Sequence, residues 1–230
     1  MITVSPVELY QFLLQKGIKY LYHANTVTTA CTFIEQGGLL SRGSVQRRGL
    51  KQTSQSSDAL DKRYNVWDDI FLDVFDLHGY FPRQNLYGPV CFKLKIELLL
   101  DPNLPAVGIT NDNPQYWYTD DDNINYVRTV KQYADEFERN YEENTIQQKM
   151  LTIRSNDYLL PFKDYLIQII LDDPGKKAIY DAAYNTLVTA LEKRDIDKSV
   201  LTKRQCGNCF CKKNYGEYEK ERLDKAYVIR

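Results

Sequence analysis

Apolar residues recur at two different spacings along this chain, and these spacings predict alternating helices and strands. Helical spacing predicts one helix over residues 5–17 and a second over residues 25–38, each ended by glycine. Between them, an apolar run at residues 20–22 stops at His23 and predicts a short strand that ends in His-x-Asn. His23 and Asn25 would then lie at the carboxyl end of a strand, where nucleotide-binding clefts are often formed. The alternative is that His23 is a hydrogen-bonded structural histidine.

The remainder of the chain predicts an α+β protein whose strands are not joined by regular crossovers. Residues 42–63 are polar and poor in large aliphatic side chains, which is typical of an exposed loop. The elements expected after this loop are strands at 70–74 and 90–96, a helix at 127–144, strands at 149–153 and 165–171, and a helix at 176–194.

Composition supports one folded unit. The chain has 230 residues, of which 43% are hydrophobic, and we expect a single domain over residues 1–230 with a cysteine-containing C-terminal extension at 200–230. Thirty basic and 31 acidic residues give a net charge of -1, so bulk charge indicates no polyanion partner. No segment has the length or apolar character of a signal peptide or membrane span. We therefore expect a soluble, cytoplasmic protein without a membrane partner.

Three cysteines lie close together near the C-terminus, at Cys206, Cys209 and Cys211. A C-x2-C pair with a third thiol supplies three of the four ligands of a structural zinc site. The fourth would have to come from Cys31 or Cys91 through folding. We expect free thiols and no metal, and keep a small zinc-stabilised interaction protein as an alternative.

Common catalytic fingerprints are absent from the sequence. There is no GxGxxG or GxxxxGK[ST] nucleotide motif, no GxSxG nucleophile elbow, and no HExxH metal motif. The sequence therefore argues against the enzyme classes that these motifs define.

The stretch YLYHANTVTTACTFIEQGGLLSRG, which begins at Tyr20, resembles the start of the DarT-type ADP-ribosyltransferases. That family opens with a strand ending in His-x-Thr or a close variant, then a helix ending in Gly-Leu, then an arginine-containing loop. The resemblance places the family's histidine at His23, its second polar residue at Asn25, and its Gly-Leu pair at Gly38 and Leu39. It implies that these four residues bind NAD.

Shorter motifs extend the resemblance over residues 20–173. The polar segment 42–63 resembles the family's loop that closes over NAD and supplies an arginine. Arg47, Arg48 and Arg63 remain open as that arginine, with Arg47 counted among the NAD-binding residues. Tyr64 and Phe71, on or near the next strand, are expected to stack on nicotinamide.

One position departs from the family pattern. QQKMLTI, at Gln147–Ile153, resembles a late strand whose first residue is normally the catalytic glutamate, and here that position falls on Gln148 or Gln147. Three interpretations remain open: an inactive relative, an active enzyme that uses another acid, and a glutamate replaced by glutamine.

The resemblance implies a fold and a function. The expected fold is a split, mixed or antiparallel ADP-ribosyltransferase-like sheet flanked by helices. The expected activity is NAD-dependent transfer of ADP-ribose onto a base of single-stranded DNA or RNA. Such a protein would be the toxin of a toxin–antitoxin or phage-defence system, with an antitoxin protein as partner. The alternative is a catalytically silent module of the same fold that binds nucleic acid or protein.

Overall fold

A computed structural model of the chain describes residues 1–142, 149–218 and 220–228. Its helices are α1 (Pro6–Gln15), α2 (Val27–Gln36), α3 (Arg42–Arg47), α4 (Asp58–Arg63), α5 (Leu77–Tyr80), α6 (Asp122–Asn125), α7 (Val130–Glu142), α8 (Phe162–Tyr165), α9 (Lys177–Glu192), α10 (Cys211–Lys213) and α11 (Lys220–Tyr227). Its strands are β1 (Tyr20–Asn25), β2 (Gly38–Leu39), β3 (Asp69–Leu72), β4 (Val90–Lys95), β5 (Val107–Ile109), β6 (Leu151–Arg154), β7 (Leu160–Pro161), β8 (Leu166–Asp172) and β9 (Leu201–Arg204).

Two principal sheets form the framework. The first has the order β1-β4-β8-β9, with antiparallel pairs except for the parallel pair β8–β9. The second is antiparallel with the order β3-β6-β5, and a short β2–β7 ribbon lies apart from both. A bridge between Tyr22 and Asp73 joins the two larger sheets. The expected α+β fold with a split, mixed sheet flanked by helices is therefore confirmed.

The first sheet carries the helices that enclose the core. In β4 the side chains of Phe92 and Leu94 are fully buried. The Phe92 ring contacts Phe33 of α2 on one side and stacks on Phe162 of α8, with ring centroids 6.1 and 5.1 Å apart. Helix α2 also packs against α9. Aromatic packing against β4 thus holds α2 and α8 on the first sheet.

Strand β1 ends at Asn25, as expected for a strand that ends in His-x-Asn, and its residues pair in register with β4 as far as Val90. One local expectation differs from the structure. The segment 42–63 is not a continuous loop, since it forms α3 and α4. The Ser41 hydroxyl caps α3 by accepting a hydrogen bond from the Ser44 amide at 3.1 Å. Short helices of this kind depend on caps and tertiary contacts that hydrophobic spacing does not reveal.

The C-terminal segment contributes to the same core. Strand β9 completes the edge of the first sheet, and α11 contacts α2. Leu223 and Tyr227 of α11 are each 2% exposed. Among the described residues, no helix combines the length and apolar character needed to cross a bilayer.

Candidate active site

The junction between β1 and α2 holds two polar side chains in fixed orientations. His23 Nδ1–H donates a hydrogen bond to the Phe71 carbonyl at 2.8 Å, so a neutral ring presents Nε2 as an acceptor. The Asn25 amide nitrogen lies 3.4 Å from that Nε2, while its oxygen accepts from the Thr26 amide at 2.9 Å. Burial lowers the pKa of His23. The hydrogen bond to the Phe71 carbonyl opposes this shift, and the positive charge of Arg42 adds to it. The histidine is thus held neutral, with one tautomer selected.

These residues line the smaller of two adjoining chambers. The smaller chamber has a volume of about 80 Å³ and includes His23, Asn25 and Phe71 in its wall. The larger has a volume of about 440 Å³. The residues that line both chambers are Gln55, Ser57, Tyr87, Asn113 and Gln115. The two spaces therefore share part of their lining, and together they are a candidate cleft of the kind that usually binds small molecules.

Arg42 brings a positive charge to the wall of the smaller chamber. Its Nη2 donates to the Asp58 carboxylate at 2.9 Å and to the Thr53 carbonyl at 3.1 Å. Its guanidinium lies over the Trp67 ring, 5.1 Å from the centroid. Two further nitrogens, Nε and Nη1, are buried and have no hydrogen-bond partner among the described residues. Buried donors of this kind are normally hydrogen-bonded in folded proteins, so the two unpaired nitrogens set Arg42 apart.

Three carboxyl groups, Asp61, Asp69 and Asp73, also line the smaller chamber. Asp69 is ion-paired with Arg154, whose Nε lies 2.7 Å from its Oδ1. Burial raises the pKa of Asp61 to about 6, and burial raises that of Asp73 to about 8. Buried Oδ1 of Asp73 has no partner among the described residues. At neutral pH, Asp61 therefore ionises in most molecules, whereas Asp73 retains its proton in most.

The larger chamber combines basic and aromatic side chains. Arg83, Arg222 and Lys225 lie in its wall, together with Tyr116 and Tyr215. The Tyr116 side chain is 62% exposed and reaches solvent at the cleft. Tyr118, two positions further along the chain, is 78% exposed. Aromatic faces beside cationic groups are the usual means of binding single-stranded nucleic acid.

The three arginines expected from the sequence lie away from the described cleft wall. Arg47 is ion-paired with Asp68 and Asp157, at 2.6 and 2.9 Å. Arg48 donates to the Asp157 carbonyl at 2.9 Å. The Arg63 guanidinium lies over the Tyr64 ring, 5.3 Å from its centroid. The arginine that the structure brings beside His23 is instead Arg42.

Gly38 and Leu39 form strand β2 and pair with β7. A Cβ atom at Gly38 would lie 2.3 Å from the Leu160 carbonyl oxygen, so close strand pairing requires glycine there. Leu39 is completely buried in the core. Both residues therefore have a structural role, and they precede helix α3, which begins at Arg42.

The two expected aromatic residues occupy different environments. Phe71 lines the smaller chamber and is partly exposed. Tyr64 is buried in a separate cluster with Val66, Trp117 and Tyr126. Its hydroxyl donates to the Trp117 carbonyl, so its polar end is already satisfied. Of the two, only Phe71 lies in the described wall of the cleft.

Gln147 and Gln148 lie outside the described residues. Met150, two positions after Gln148, lines the smaller chamber immediately before β6. The chain therefore approaches the cleft immediately after the glutamine pair.

Arg42 and the three aspartates were not selected from the sequence, although weak signals were present. Arg42 is the first arginine after the Gly-Gly-Leu-Leu stretch, in a segment with several competing basic residues. Asp69 and Asp73 alternate with apolar residues of a buried strand region, which is an unusual environment for carboxylates. Asp61 becomes part of the cleft only because α4 forms.

Comparison with known proteins supports the fold assignment. No protein-family model matches the sequence, and no curated protein matches it. The structure of Thermus sp. 2.9 DarT in complex with ADP-ribosylated single-stranded DNA is similar to this chain with a TM-score of 0.52 at 8% identity, over 82% of this chain and 95% of that chain. A structure of the same protein in complex with NAD+ has a TM-score of 0.49 at 9% identity, over 81% of this chain and 96% of that chain. The first comparison establishes that the chain has a DarT-like fold.

Proposed function

We propose that this protein transfers ADP-ribose from NAD onto a base of single-stranded DNA or RNA. The observation that carries the proposal is the grouping of His23, Asn25 and Arg42 in one chamber of a DarT-like fold. The structural relative was solved with ADP-ribosylated single-stranded DNA, which supports both the transferred group and the class of acceptor.

The smaller chamber suits the part of NAD that reacts. The positive charge of Arg42, whose Nε and Nη1 have no hydrogen-bond partner among the described residues, suits the anionic pyrophosphate. His23, neutral and fixed through Phe71, presents Nε2 to a ribose hydroxyl. The partly exposed ring of Phe71 offers a stacking face for nicotinamide. These contacts require the 80 Å³ chamber to be used together with the adjoining 440 Å³ chamber.

The reaction breaks the bond between C1′ of the ribose and the nicotinamide nitrogen, and joins C1′ to a nucleophilic atom of the base. Nicotinamide leaves, and the base loses a proton. Positive charge develops on the ribose, so a nearby carboxylate lowers the barrier. Asp61 and Asp69 are described carboxylates in the same wall, and by the resemblance the family position of this group falls on Gln148 or Gln147.

The larger chamber suits the acceptor. Its cationic side chains match phosphates, and the exposed ring of Tyr116 offers a platform for an unpaired base. By the family resemblance, modification of nucleic acid would make the protein a toxin of a toxin–antitoxin or phage-defence system, restrained by an antitoxin protein.

A second function is favoured by glutamine at the family's glutamate position. In this interpretation the fold is kept as a catalytically silent module that binds nucleic acid or protein. Glutamine preserves the shape of glutamate but supplies no negative charge for a developing cation.

The test is incubation with NAD labelled on the adenylate, in separate pools of single-stranded DNA, RNA and protein. The given chain is compared with Gln148→Glu and Gln147→Glu, and His23→Ala serves as the site variant. We expect label on one nucleic-acid pool with the given chain or a glutamate variant, and loss of that label when His23→Ala is added. Absence of label from nucleic acid in all three chains, with all of them folded, would refute transfer and favour the silent module.

A further inference from the structure

Four metal-ligating side chains converge at a place that the proposed reaction does not use. They are His78 of α5, Cys206 and Cys209 after β9, and Cys211 at the start of α10. Their ligand atoms all lie within 4.8 Å of one another. His78 Nε2 is 3.2 Å from the Cys206 sulfur and 3.3 Å from the Cys209 sulfur. A tetrahedral zinc ion holds its nitrogen and sulfur ligands about 3.5 Å apart. We propose that these four residues form a structural Cys3His zinc site.

The histidine is oriented as a zinc ligand requires. Its Nδ1 lies 2.5 Å from the Asp172 carboxylate, and both side chains are 2% exposed. With the Nδ1 proton donated to Asp172, the lone pair of Nε2 faces the thiols. A carboxylate behind a histidine is the usual outer partner of a zinc-bound imidazole, because it fixes the tautomer and the ring. Asp172 is therefore the positioning residue of the site.

The surroundings also suit bound thiolates. The Cys211 amide donates a hydrogen bond to the Cys209 sulfur at 3.3 Å, which stabilises negative charge on that sulfur. Zinc with three thiolates and a neutral imidazole carries one net negative charge, and Asp172 adds another. Arg204 lies against this group, with its Nε 3.2 Å from the Asp172 carboxylate. The cation offsets the negative charge that metal binding would leave in a partly buried place.

Four protein ligands leave no open coordination position, so the site is structural and not catalytic. Binding displaces three thiol protons and creates no new covalent bond within the protein. The fourth ligand comes from a part of the chain more than a hundred positions from the cysteines, and is neither Cys31 nor Cys91. One ion would therefore join α5 to the segment that follows β9.

That junction adjoins the larger chamber of the cleft. The Phe210 amide, inside the cysteine segment, donates to the Pro82 carbonyl at 2.9 Å. The side-chain amide of Asn214 donates a hydrogen bond to the side-chain oxygen of Gln84 at 2.7 Å. Gln84 and Phe81 both line the larger chamber. Zinc at this place would hold in position the part of the larger chamber's wall that the chain after α5 forms.

The first experiment measures metal in the full chain purified under reducing conditions without chelator. Elemental analysis is expected to give one zinc per chain, and X-ray absorption to give three sulfur ligands and one nitrogen. Exchange for cobalt is expected to give the absorption of a tetrahedral thiolate site. Failure to retain zinc together with failure to take up cobalt, or a zinc site with fewer than three sulfurs, overturns the proposal.

Variants then assign the ligands. Cys209→Ser and His78→Ala are expected to lose tight zinc binding, whereas Cys31→Ser is the matched control and retains one zinc. Asp172→Asn keeps all four ligands, and we expect it to weaken zinc binding about 10- to 100-fold. Unchanged zinc affinity in both ligand variants overturns the assignment. These readouts use neither NAD nor nucleic acid, so their outcome is independent of the proposed transfer reaction.

Discussion

Arg42 has two buried side-chain nitrogens without a hydrogen-bond partner, more than any other residue in the part of the chain that the structure describes. One of its terminal nitrogens is held by Asp58 and Thr53, while two other nitrogens are buried without partners among the described residues. Buried donors without partners cost about 1–3 kcal/mol each, and more when charged. In the proposed function, the anionic ligand of this guanidinium is the pyrophosphate of NAD.

Substitution of Arg42 tests whether its guanidinium binds the pyrophosphate of NAD. Arg42→Lys keeps the charge but removes the planar fork, so we expect NAD affinity measured by titration calorimetry to fall at least about tenfold. Arg48→Lys is the matched control, since Arg48 lies near Asp157 and outside the described cleft wall, and its affinity should change less than about twofold. An equal loss of NAD affinity in the two variants would contradict the placement of the NAD pyrophosphate beside Arg42.

The raised pKa of Asp73 predicts that the free energy of unfolding depends on pH. Burial raises its pKa to about 8, with a further contribution from Asp76, whereas an unfolded aspartate titrates near pH ~4. Between pH ~4 and pH 8, the Asp73 carboxyl is protonated in the folded chain and ionised in the unfolded chain. The contribution of Asp73 to the free energy of unfolding therefore decreases as pH rises. The slope from one such group is at most about 1.4 kcal/mol per pH unit.

Urea unfolding of the parent chain and Asp73→Asn from pH 5 to pH 8 measures this contribution. Asparagine cannot ionise, so the free energy of unfolding of Asp73→Asn should decrease less with rising pH than that of the parent chain. Parallel pH profiles for the two chains would show that Asp73 titrates normally.

At the scale of elements, the end of β1 depends on a close approach by the loop before β4. Gly88 has φ +150°, and a Cβ atom there would lie 2.1 Å from the Asn25 carbonyl carbon. No side chain fits between the two backbones. The loop therefore packs directly on the strand end that carries His23 and Asn25, and helps to fix the geometry of the cleft.

Gly88→Ala should separate this loop from β1. We expect the free energy of unfolding to fall by about 2–3 kcal/mol, because the substitution combines overpacking with backbone strain. Gly216→Ala is the control, since no atom lies within 4 Å of a Cβ built at that position. If the two glycine variants are equally stable in urea, the close approach is not a constraint.

Sequence patterns are most informative where an element makes its own contacts. The glycine stop of α2 was predicted and is observed, since Gly37 adopts the left-handed conformation that favours glycine. The strands at β4 and β8 were likewise indicated by their apolar spacing. In contrast, α3 and α4 consist of six residues each, too short for spacing to distinguish them from a polar loop.

The candidate site was predictable only in part for a related reason. His23 and Asn25 belong to one local motif, whereas the position of Arg42 depends on Trp67, Asp58 and Thr53. The meeting of His78 with the cysteine segment depends on how β8 and β9 pair. Contacts between distant segments leave no periodic signal in the sequence.

For the whole molecule, the C-terminal helix is integrated into the core. Tyr227 is 2% exposed, and its hydroxyl donates to the Asp172 carbonyl at 2.8 Å. Its ring meets Tyr215 edge-on, with centroids 5.6 Å apart. The residues after β9 therefore share packing with the first sheet and with the proposed zinc site.

Tyr227→Ala is expected to destabilise the whole chain. Loss of a buried aromatic ring costs about 3–5 kcal/mol, measured by chemical unfolding. Tyr218→Ala removes a ring that is 69% exposed and should change stability by less than about 0.5 kcal/mol. A second, separate unfolding transition in the parent chain would contradict a shared core.

The most direct test of the central claim is a crystal structure of the chain with NAD. The proposed function predicts pyrophosphate oxygens within hydrogen-bond distance of Arg42, with the nicotinamide ribose beside His23 and Phe71. NAD bound away from these residues, or no bound NAD in crystals soaked at saturating concentration with the cleft open to solvent, would contradict it.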